Sequence, residues 1–334
     1  MINKILDYGV NDYIESKRYK ANNEVFRIVR KNRNTIFVSN GESENVLIEV
    51  NNINQDLVVG DFVEVILFEK QYYVTKILER TTVLSKASNR TKKSYAYNVN
   101  EQLLAANVDQ LFVLIAADQR FTLSKLERYL MTFGGMVTDI NIIISKSDYI
   151  ELANKIKEII KSTYPEINII FSSIYNDKSM EELKSFFMPK KTAVLLGSSG
   201  AGKSTLLNYL LGNDINDTQT VRSDGKGKHT TTSSTLFYIE STDSYIIDTP
   251  GFKTINTNRE LNEEILFSKI LELSNKCKFT DCKHENEPGC AVNKAIEDGV
   301  ISKDLYERYL LIKEKNERYE QFLKKKNKKK NLKH

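Results

Sequence analysis

Eight residues near the middle of the chain have the types and spacing of a phosphate-binding loop. The stretch 197–204, GSSGAGKS, fits the pattern G-x-x-x-x-G-K-[ST] and lies between an apolar run, TAVLL, and a helical run, KSTLLNYLL. Glycines let backbone N–H groups wrap around a phosphate, and the N-terminus of the following helix adds a favourable dipole. In such a loop Lys203 would bind the β- and γ-phosphates and the hydroxyl of Ser204 would bind Mg²⁺. A glycine-rich turn that binds nothing is the weaker alternative, because the motif is complete and in the right context.

The predicted nucleotide-binding residues of this loop are Gly197, Ser198, Ser199, Gly200, Ala201, Gly202, Lys203, Ser204 and Thr205.

A carboxylate at the end of another apolar run completes the phosphate chemistry. Asp248-Thr-Pro-Gly251 follows SYII and stands 44 residues after Ser204. Asp248 can hold Mg²⁺ through water, and the Gly251 N–H can contact the γ-phosphate. A D-T-P-G sequence is by itself only a common turn. Its place at the end of a strand favours a functional role.

The base of the nucleotide is expected to be recognised by residues 145–148, SKSD, which follow the apolar run INIII. They resemble the N/T-K-x-D guanine motif, in which the Asp148 carboxylate would accept both the N1 and N2 protons of guanine. Adenine lacks that pair of donors, so the carboxylate would stay unpaired against it. The stem of Lys146 would lie over the purine. Ser145 departs from the usual Asn, and a chance S-K-S-D at a strand end is the alternative.

The motifs occur in an unusual order. Along the chain come SKSD (145–148), the pair Ser172 and Ser173 where a guanine-loop motif is expected, the phosphate loop (197–204), TTT (230–232) and DTPG (248–251). In an ordinary GTPase the phosphate loop comes first and the guanine motif last. The order therefore indicates a circular permutation, which is physically permissible because domain termini tend to lie near one another.

A cluster of potential metal ligands follows. Cys277, Cys282, His284 and Cys290 offer three thiolates and one imidazole within fourteen residues. Four ligands of this kind suit a closed, tetrahedral and structural Zn²⁺ site. Three buried free cysteines beside an incidental histidine are the alternative, and the fact that the only cysteines of the chain all fall here argues against it.

Length and charge constrain the rest. At 334 residues the chain exceeds one ordinary core, so two or three domains are expected. The net charge is +5, but residues 324–334 hold seven lysines and no acid; the remaining 42 basic residues face 44 acidic ones, a net charge of −2. Basicity is thus a property of local segments. We expect a soluble, cytoplasmic protein, since neither a membrane-length apolar run nor a signal peptide is evident.

The hydrophobic pattern changes along the chain and predicts two types of fold. Five short strands between about 24 and 78 suit a small β-barrel, with an OB-fold as the candidate. From about 102, apolar runs alternate with helical patterns, which predicts a doubly wound α/β sheet. In the barrel, Arg27, Arg30, Lys31 and Arg33 are the candidates for a local RNA-contacting patch.

The motif order, the barrel in front and the Cys/His cluster behind strongly resemble the ribosome small subunit-dependent GTPase A family. The resemblance covers about 24–320 and includes AANVDQLFVLIAA (105–117) and LERYL (126–130). Members are circularly permuted GTPases of late 30S maturation. The resemblance therefore implies GTP hydrolysis stimulated by the 30S subunit, release of the protein from it, and contact with its 16S rRNA.

The resemblance also implies roles in the switch region. One of Thr230, Thr231 and Thr232 would bind Mg²⁺, and Thr231 is our choice. The position after D-x-x-G, where many GTPases have a glutamine, is Phe252. His229 is then the candidate that orients or deprotonates the attacking water, and a solvated or RNA-contacting histidine is the alternative.

The complete prediction is a monomeric, multi-domain α/β protein with one structural Zn²⁺ and Mg²⁺ bound with GTP. Its segments are an arm and OB-fold (1–83), a basic connector (84–101), a circularly permuted P-loop GTPase domain (102–258), an α-helical zinc-binding domain (259–323) and a disordered lysine-rich tail (324–334). The predicted catalytic residues are His229, Lys203 and Thr231, and the predicted Mg²⁺ ligands are Ser204, Thr231 and Asp248. An rRNA-binding scaffold with little turnover is the alternative function, and an ATP-dependent P-loop enzyme conflicts with Asp148.

Overall fold

A computed structural model of the chain describes residues 7–32, 35–41, 46–49, 56–87, 101–137, 139–212, 233–248, 264–285 and 287–331. The chain divides into two compact units. The first comprises Met1–Ser85, Leu103–Leu123 and Met136–Thr254, and the second comprises Lys86–Gln102, Ser124–Gly135 and Ile255–His334. The segments predicted as barrel and GTPase domain therefore lie mostly in one unit.

The N-terminal part is a helix followed by a small antiparallel barrel. Its elements are α1 (Val10–Lys17), β1 (Glu24–Lys31), β2 (Thr35–Ser39), β3 (Val46–Glu49), β4 (Phe62–Phe68) and β5 (Gln71–Ile77). β1 pairs with β2 and β4, β2 pairs with β3, and β4 pairs with β5. The two ends of this path, β3 and β5, approach within 8 Å between Cα atoms. All five predicted strands are present, and their arrangement is of the OB type.

A two-stranded sheet and an α/β sheet follow. The elements are β6 (Val83–Ala87), β7 (Glu101–Ala106), β8 (Gln110–Ala116), α2 (Leu123–Phe133), β9 (Asp139–Ser145), α3 (Ile150–Thr163), β10 (Asn168–Ser172), α4 (Asp177–Lys184), β11 (Thr192–Gly197), α5 (Lys203–Leu210), β12 (Ser234–Ile239) and β13 (Ser244–Asp248). β6 pairs with β7, and the larger sheet has the order β10-β9-β8-β11-β13-β12. Its first five strands are parallel, and β12 is antiparallel to β13.

The apolar runs of the sequence form the core of this sheet. Every residue of β11 is buried, as expected for a parallel strand covered on both faces. Phe112 of β8 stacks on Phe187 with ring centroids 4.4 Å apart. Met180 and Leu183 of α4 are fully buried in the same cluster, because the apolar positions of that helix recur with helical spacing.

The C-terminal part is helical, with α6 (Glu264–Ser274), α7 (Ala291–Glu297) and α8 (Lys303–Asn331). The prediction of a disordered tail from residue 324 is wrong up to Asn331, because α8 continues to that residue. Lysine, glutamine and leucine are good helix formers, and pairs such as Glu320 with Lys324 support the last turns. Composition alone suggested a tail, whereas helical propensity and the preceding helix extend the structure.

The barrel and the α/β sheet are hydrogen-bonded to each other through β1. The first half of β1, Glu24–Arg27, pairs with β4. Its last two residues pair with β12, with Arg30 opposite Thr235 and Lys31 opposite Ser234. One strand thus belongs to both structures, which is why the predicted boundary at residue 83 falls inside one compact unit.

Arg27 lies buried at this junction. Its guanidinium donates to the Tyr8 carbonyl at 3.0 Å and to Thr192 Oγ1, at the start of β11, at 2.8 Å. It also lies over the Phe62 and Tyr245 rings, 4.8 and 5.4 Å from their centroids. Burial lowers the pKa of Arg27 to about 10, so the side chain remains charged at neutral pH.

The proposed RNA patch on β1 is therefore wrong for Arg27, which is only 2% exposed. Lys31 is also turned inward, since its ammonium donates to the Leu57 carbonyl. Arg30 is exposed, and Arg33 lies outside the described residues. None of the helices within the described ranges combines the length and apolar composition needed to span a membrane.

Replacing Arg27 by Met should destabilise the barrel and sheet unit by about 3 kcal/mol, because buried oxygens lose their donor. The matched control is Arg30→Met on the same strand. Arg30 is exposed and stacks on Phe37 at 4.6 Å, so its loss should cost about 1 kcal/mol or less. Urea unfolding measures both, and equal destabilisation by the two variants would contradict the structural role of Arg27.

Candidate functional site

The predicted nucleotide motifs meet at one edge of the sheet. β9 ends at Ser145, β10 at Ser172, β11 at Gly197 and β13 at Asp248. These strands are parallel to one another. Their carboxyl ends therefore share an edge, which is where open α/β sheets bind ligands. Segments that are more than a hundred residues apart in sequence are brought together in this way.

The phosphate loop leads directly into α5, which begins at Lys203. The Lys203 ammonium donates to the carbonyls of Gly197 and Ser198 at 2.6 and 2.8 Å. Gly197 has φ 149°, and a Cβ there would lie 2.7 Å from the Leu114 carbonyl oxygen, so only glycine fits. Lys203, Ser204 and Asp248 line one small pocket.

Ser145 joins the base-recognition segment to the phosphate loop. Its buried hydroxyl donates to the Ala201 carbonyl at 2.8 Å. Ser145, in place of the usual Asn, therefore forms a hydrogen bond between the two loops. A shorter side chain achieves this because the end of β9 lies close to the loop, as the 3.7 Å between Ser145 Oγ and a Cβ built on Gly202 indicates.

Asp148 is held by the neighbouring strand end. The Ser173 hydroxyl donates to the exposed Asp148 carboxylate at 2.7 Å, and the Ser147 N–H donates to the Ser172 carbonyl at 3.1 Å. The Ser172 hydroxyl is turned away into the core, where it contacts the Met180 sulfur at 3.3 Å. Of the predicted pair, only Ser173 presents its side chain to Asp148.

Thr205 lies on α5. Several other predicted residues lie outside the described residues: His229, Thr230, Thr231, Thr232, Gly251 and Phe252. Their predicted roles remain predictions. The described part of the site consists of the base-recognition segment, the phosphate loop and Asp248.

Cys277, Cys282, His284 and Cys290 converge into one cluster in the second unit. Their potential ligand atoms all lie within 4.8 Å of one another. His284 Nδ1 is 3.5 Å from Cys277 Sγ and 3.4 Å from Cys290 Sγ, and those two sulfurs are 3.9 Å apart. A tetrahedral zinc site has ligand–ligand separations of about 3.5–3.8 Å, so these separations suit a metal of that size.

The hydrogen bond made by the second ring nitrogen of His284, Nε2, determines which nitrogen carries the proton. The Ser274 hydroxyl donates its proton to the Ile270 carbonyl at 2.9 Å and lies 3.0 Å from His284 Nε2. Because that proton is used, Ser274 Oγ accepts from Nε2–H. Nδ1 is then left unprotonated toward the sulfurs, as a metal ligand must be.

Electrostatics favour the metal-binding state of His284 and Cys277. Burial and the nearby Lys313 charge lower the pKa of His284, so the imidazole is neutral at pH 7. Burial raises the pKa of the Cys277 thiol, but backbone N–H groups of Ala291 and Val292, together with the neighbouring thiols, outweigh it and the net pKa is lowered. A neutral imidazole and a readily formed thiolate are the states that bind metal. Burial and the neighbouring thiols raise the pKa of Cys282 to about 11, so that thiol would lose its proton only to a bound cation.

Sequence reasoning missed three contacts around these sites. Ser274 precedes the first cysteine by three residues and carries no motif. Asp118 and Gln119 follow β8 directly and contact Lys146 and the phosphate loop. The available signal was their position, since β8 ends at the same sheet edge as the motif-bearing strands.

Comparisons with known proteins agree with this geometry. The model of the RsgA GTPase family matches residues 77–258, and an S1 domain model matches residues 24–72. A small ribosomal subunit biogenesis GTPase RsgA of Listeria monocytogenes is 34% identical over 254 residues, 75% of this chain and 70% of the relative. Another, from Vibrio parahaemolyticus, is 33% identical over 289 residues, 86% of this chain and 78% of the relative.

A solved structure has the same fold. The crystal structure of YloQ, described as a circularly permuted GTPase, superposes with a TM-score of 0.59 at 25% sequence identity. The match covers 88% of this chain and 95% of YloQ. The predicted circular permutation is thereby confirmed, because the match with a circularly permuted GTPase covers most of both chains.

Replacing Ser274 by Ala should weaken metal binding by about 10- to 100-fold, because His284 loses the acceptor that fixes its tautomer. Competition between the protein and a chelator for Co²⁺ measures the affinity. Ser185→Ala, an exposed serine in the other unit, is the matched control and should bind Co²⁺ like the unaltered protein. Equal affinities for all three proteins would contradict the proposed role of Ser274.

Proposed function

The chain belongs to the RsgA GTPase family, and from that premise we propose that it binds guanine nucleotides at the carboxyl edge of its sheet, hydrolyses GTP, and assists assembly of the small ribosomal subunit. One observation carries the nucleotide part of this proposal. Ser145 bonds the phosphate loop at Ala201 while Asp148, three residues later, is exposed and accepts from Ser173. The segment that would recognise the base is thus hydrogen-bonded to the loop that would bind the phosphates.

Base selection rests on Asp148. Its carboxylate has two oxygens, and Ser173 donates to one of them, Oδ1. Carboxylate lone pairs remain for the N1 and N2 protons of guanine, while adenine has no such donor pair. Lys146, at the left-handed φ of 55°, starts the turn, and its stem would lie beside the base. This chemistry favours GTP over ATP.

Phosphate chemistry rests on the loop and on Mg²⁺. Lys203, which donates to two loop carbonyls, would exchange them for phosphate oxygens, and the loop N–H groups would bind the β-phosphate. Ser204 and Asp248 line the same pocket and are the described residues suited to hold Mg²⁺, which neutralises developing charge when bound. By resemblance, Thr231 is the third protein ligand, Gly251 contacts the γ-phosphate and His229 positions the water.

Zinc is the metal that the Cys/His cluster fits best. Three sulfurs and one imidazole are the donor set of structural zinc sites, and the fixed His284 tautomer leaves Nδ1 available. The cluster joins the segment after α6 to the start of α7, whose N-cap is Cys290. A bound Zn²⁺ would therefore hold these helical segments together, which is a structural role.

The ribosomal partner is inferred from the relatives, which carry the name of small ribosomal subunit biogenesis GTPases. Contact with 16S rRNA suits the OB-type barrel and the lysines at the end of α8, which runs to Asn331. The site of action is then the cytoplasm, where ribosomal subunits assemble. Nothing in this account requires more than a monomer.

Hydrolysis of GTP and ATP with and without purified 30S and 50S subunits tests the function. We expect GTP turnover to rise by at least about tenfold with 30S alone, because a partner must order the switch residues. Absence of stimulation by either subunit would instead support an rRNA-binding scaffold with little turnover. Preference for ATP would overturn the assignment of Asp148.

The matched variant in the same assay is His229→Ala. It should lower 30S-stimulated turnover by about 100-fold or more while leaving GTP affinity nearly unchanged, since the imidazole acts on water. An equal loss of affinity and turnover would show that His229 has another role.

A further inference from the structure

The turn that follows β8 lies between the two halves of the proposed nucleotide site, and it carries no recognised motif. The Ala117 N–H donates to the Ser145 carbonyl at 2.9 Å, and the Gln119 N–H donates back to the Ala116 carbonyl at 3.2 Å. The turn is thus fixed to the end of β9 by its own backbone. Its next side chains, Asp118 and Gln119, extend toward the two loops of the site.

Gln119 uses both ends of its side-chain amide on the phosphate loop. Its Nε2 donates to the Ser199 carbonyl at 3.1 Å, and its Oε1 accepts from the Ser198 hydroxyl at 3.0 Å. The carbonyl acceptor at Ser199 determines which end of the amide is the donor. Two bonds from one planar group hold consecutive loop residues in a single geometry.

The backbone of the loop confirms how closely the amide lies. A Cβ built on Gly200 would be 2.8 Å from Gln119 Nε2, and Gly200 has φ 76°. Among the variable positions of G-x-x-x-x-G-K-[ST], Ala201 is bonded to Ser145 of the base-recognition segment, and Ser198 and Ser199 are bonded to Gln119. Gln119 therefore fixes the first half of the loop, and Ser145 fixes Ala201 in the second half.

Asp118 contacts the other loop. Its carboxylate is 2.6 Å from the Lys146 ammonium, and the two side chains are 30% and 39% exposed. An ion pair this exposed contributes little to stability, but it fixes the direction of a long and flexible side chain. The side chain so directed is the one whose stem would lie on the purine.

We propose that Asp118 and Gln119 are positioning residues of the nucleotide site: Gln119 holds the phosphate loop and Asp118 holds Lys146, so that one turn pre-organises both phosphate and base recognition. This inference rests on the proposed nucleotide function. A loop that is already ordered loses less conformational entropy when it binds its ligand, so the bound nucleotide is retained longer. Neither residue contacts reacting atoms in this account.

The central experiment is the dissociation rate of a fluorescent GDP analogue from Gln119→Met. Methionine has nearly the length of glutamine but forms neither bond, so release should accelerate by about three- to tenfold. Gln71→Met is the matched control, because Gln71 is an exposed glutamine at the β4–β5 turn. Its release rate should equal that of the unaltered protein, and equal rates for all three proteins would overturn the proposal.

A purely structural role for Gln119 predicts a different pattern. The Gln119→Met protein would then melt at a lower temperature, with release unchanged at temperatures where it is folded. A second comparison uses Ser198→Ala. Ser198 and Gln119 share a bond, and Gln119→Met already breaks it. Ser198→Ala should therefore accelerate release less in the Gln119→Met protein than in the otherwise unaltered protein. Independent, multiplicative effects would contradict the clamp on the phosphate loop.

The ion pair between Asp118 and Lys146 is tested separately by its dependence on salt. Asp118→Asn should accelerate release about two- to threefold at low salt, and the difference should disappear in about 1 M NaCl, where exposed ion pairs are screened. A difference that is independent of salt, or no difference at low salt, would exclude the ion pair as the cause.

Lys203→Ala separates failure of this inference from failure of the proposed function. Loss of GDP binding in that variant supports the nucleotide site itself. If Lys203→Ala loses GDP while Gln119→Met releases it at the normal rate, only the positioning role is wrong. If Lys203→Ala binds GDP normally, the proposed site is wrong.

Discussion

Parallel pairing of β9, β8, β11 and β13 is the constraint on which the proposed site depends. Strands that run in the same direction end at the same edge, so every loop that follows them meets there whatever their order in the chain. A circular permutation changes which loops are joined by short connections, but it leaves the sheet and its edge unchanged. Base recognition can therefore precede the phosphate loop in sequence without any change in the chemistry of the site.

The same sheet also connects the site to the barrel. β12 pairs with β13 on one side and with the end of β1 on the other. Arg27, on β1, reinforces the junction by bonding Thr192 at the start of β11, the strand that ends in the phosphate loop. The segment with His229 and Thr231 precedes β12 in the chain. β12 therefore pairs with the barrel strand β1 on one side, and on the other side β13 separates it from β11, the strand that ends in the phosphate loop.

Much of this was predictable because it is local in sequence. Apolar runs and turn residues located the barrel strands and the α/β strands, and motif spacing located the phosphate loop and the Cys/His cluster. Long-range contacts were not predictable. Arg27 was expected at the surface because basic residues usually are, but its partner Thr192 is 165 residues away. Gln119 was missed for the same reason, since its partners Ser198 and Ser199 are 79 and 80 residues away. Ser274 lies only ten residues from His284 and was missed because it belongs to no motif.

The most direct test of the account is the nucleotide preference of Asp148→Asn. The unaltered protein should bind GDP and reject xanthosine diphosphate, whose purine has a carbonyl oxygen where guanine has its amino group. The new amide can accept from N1–H and donate to that oxygen, so the variant should lose about 100-fold in GDP affinity and gain affinity for xanthosine diphosphate. Equilibrium binding of both nucleotides measures this reversal. Unchanged GDP affinity in the variant would contradict the claim that this sheet edge reads guanine.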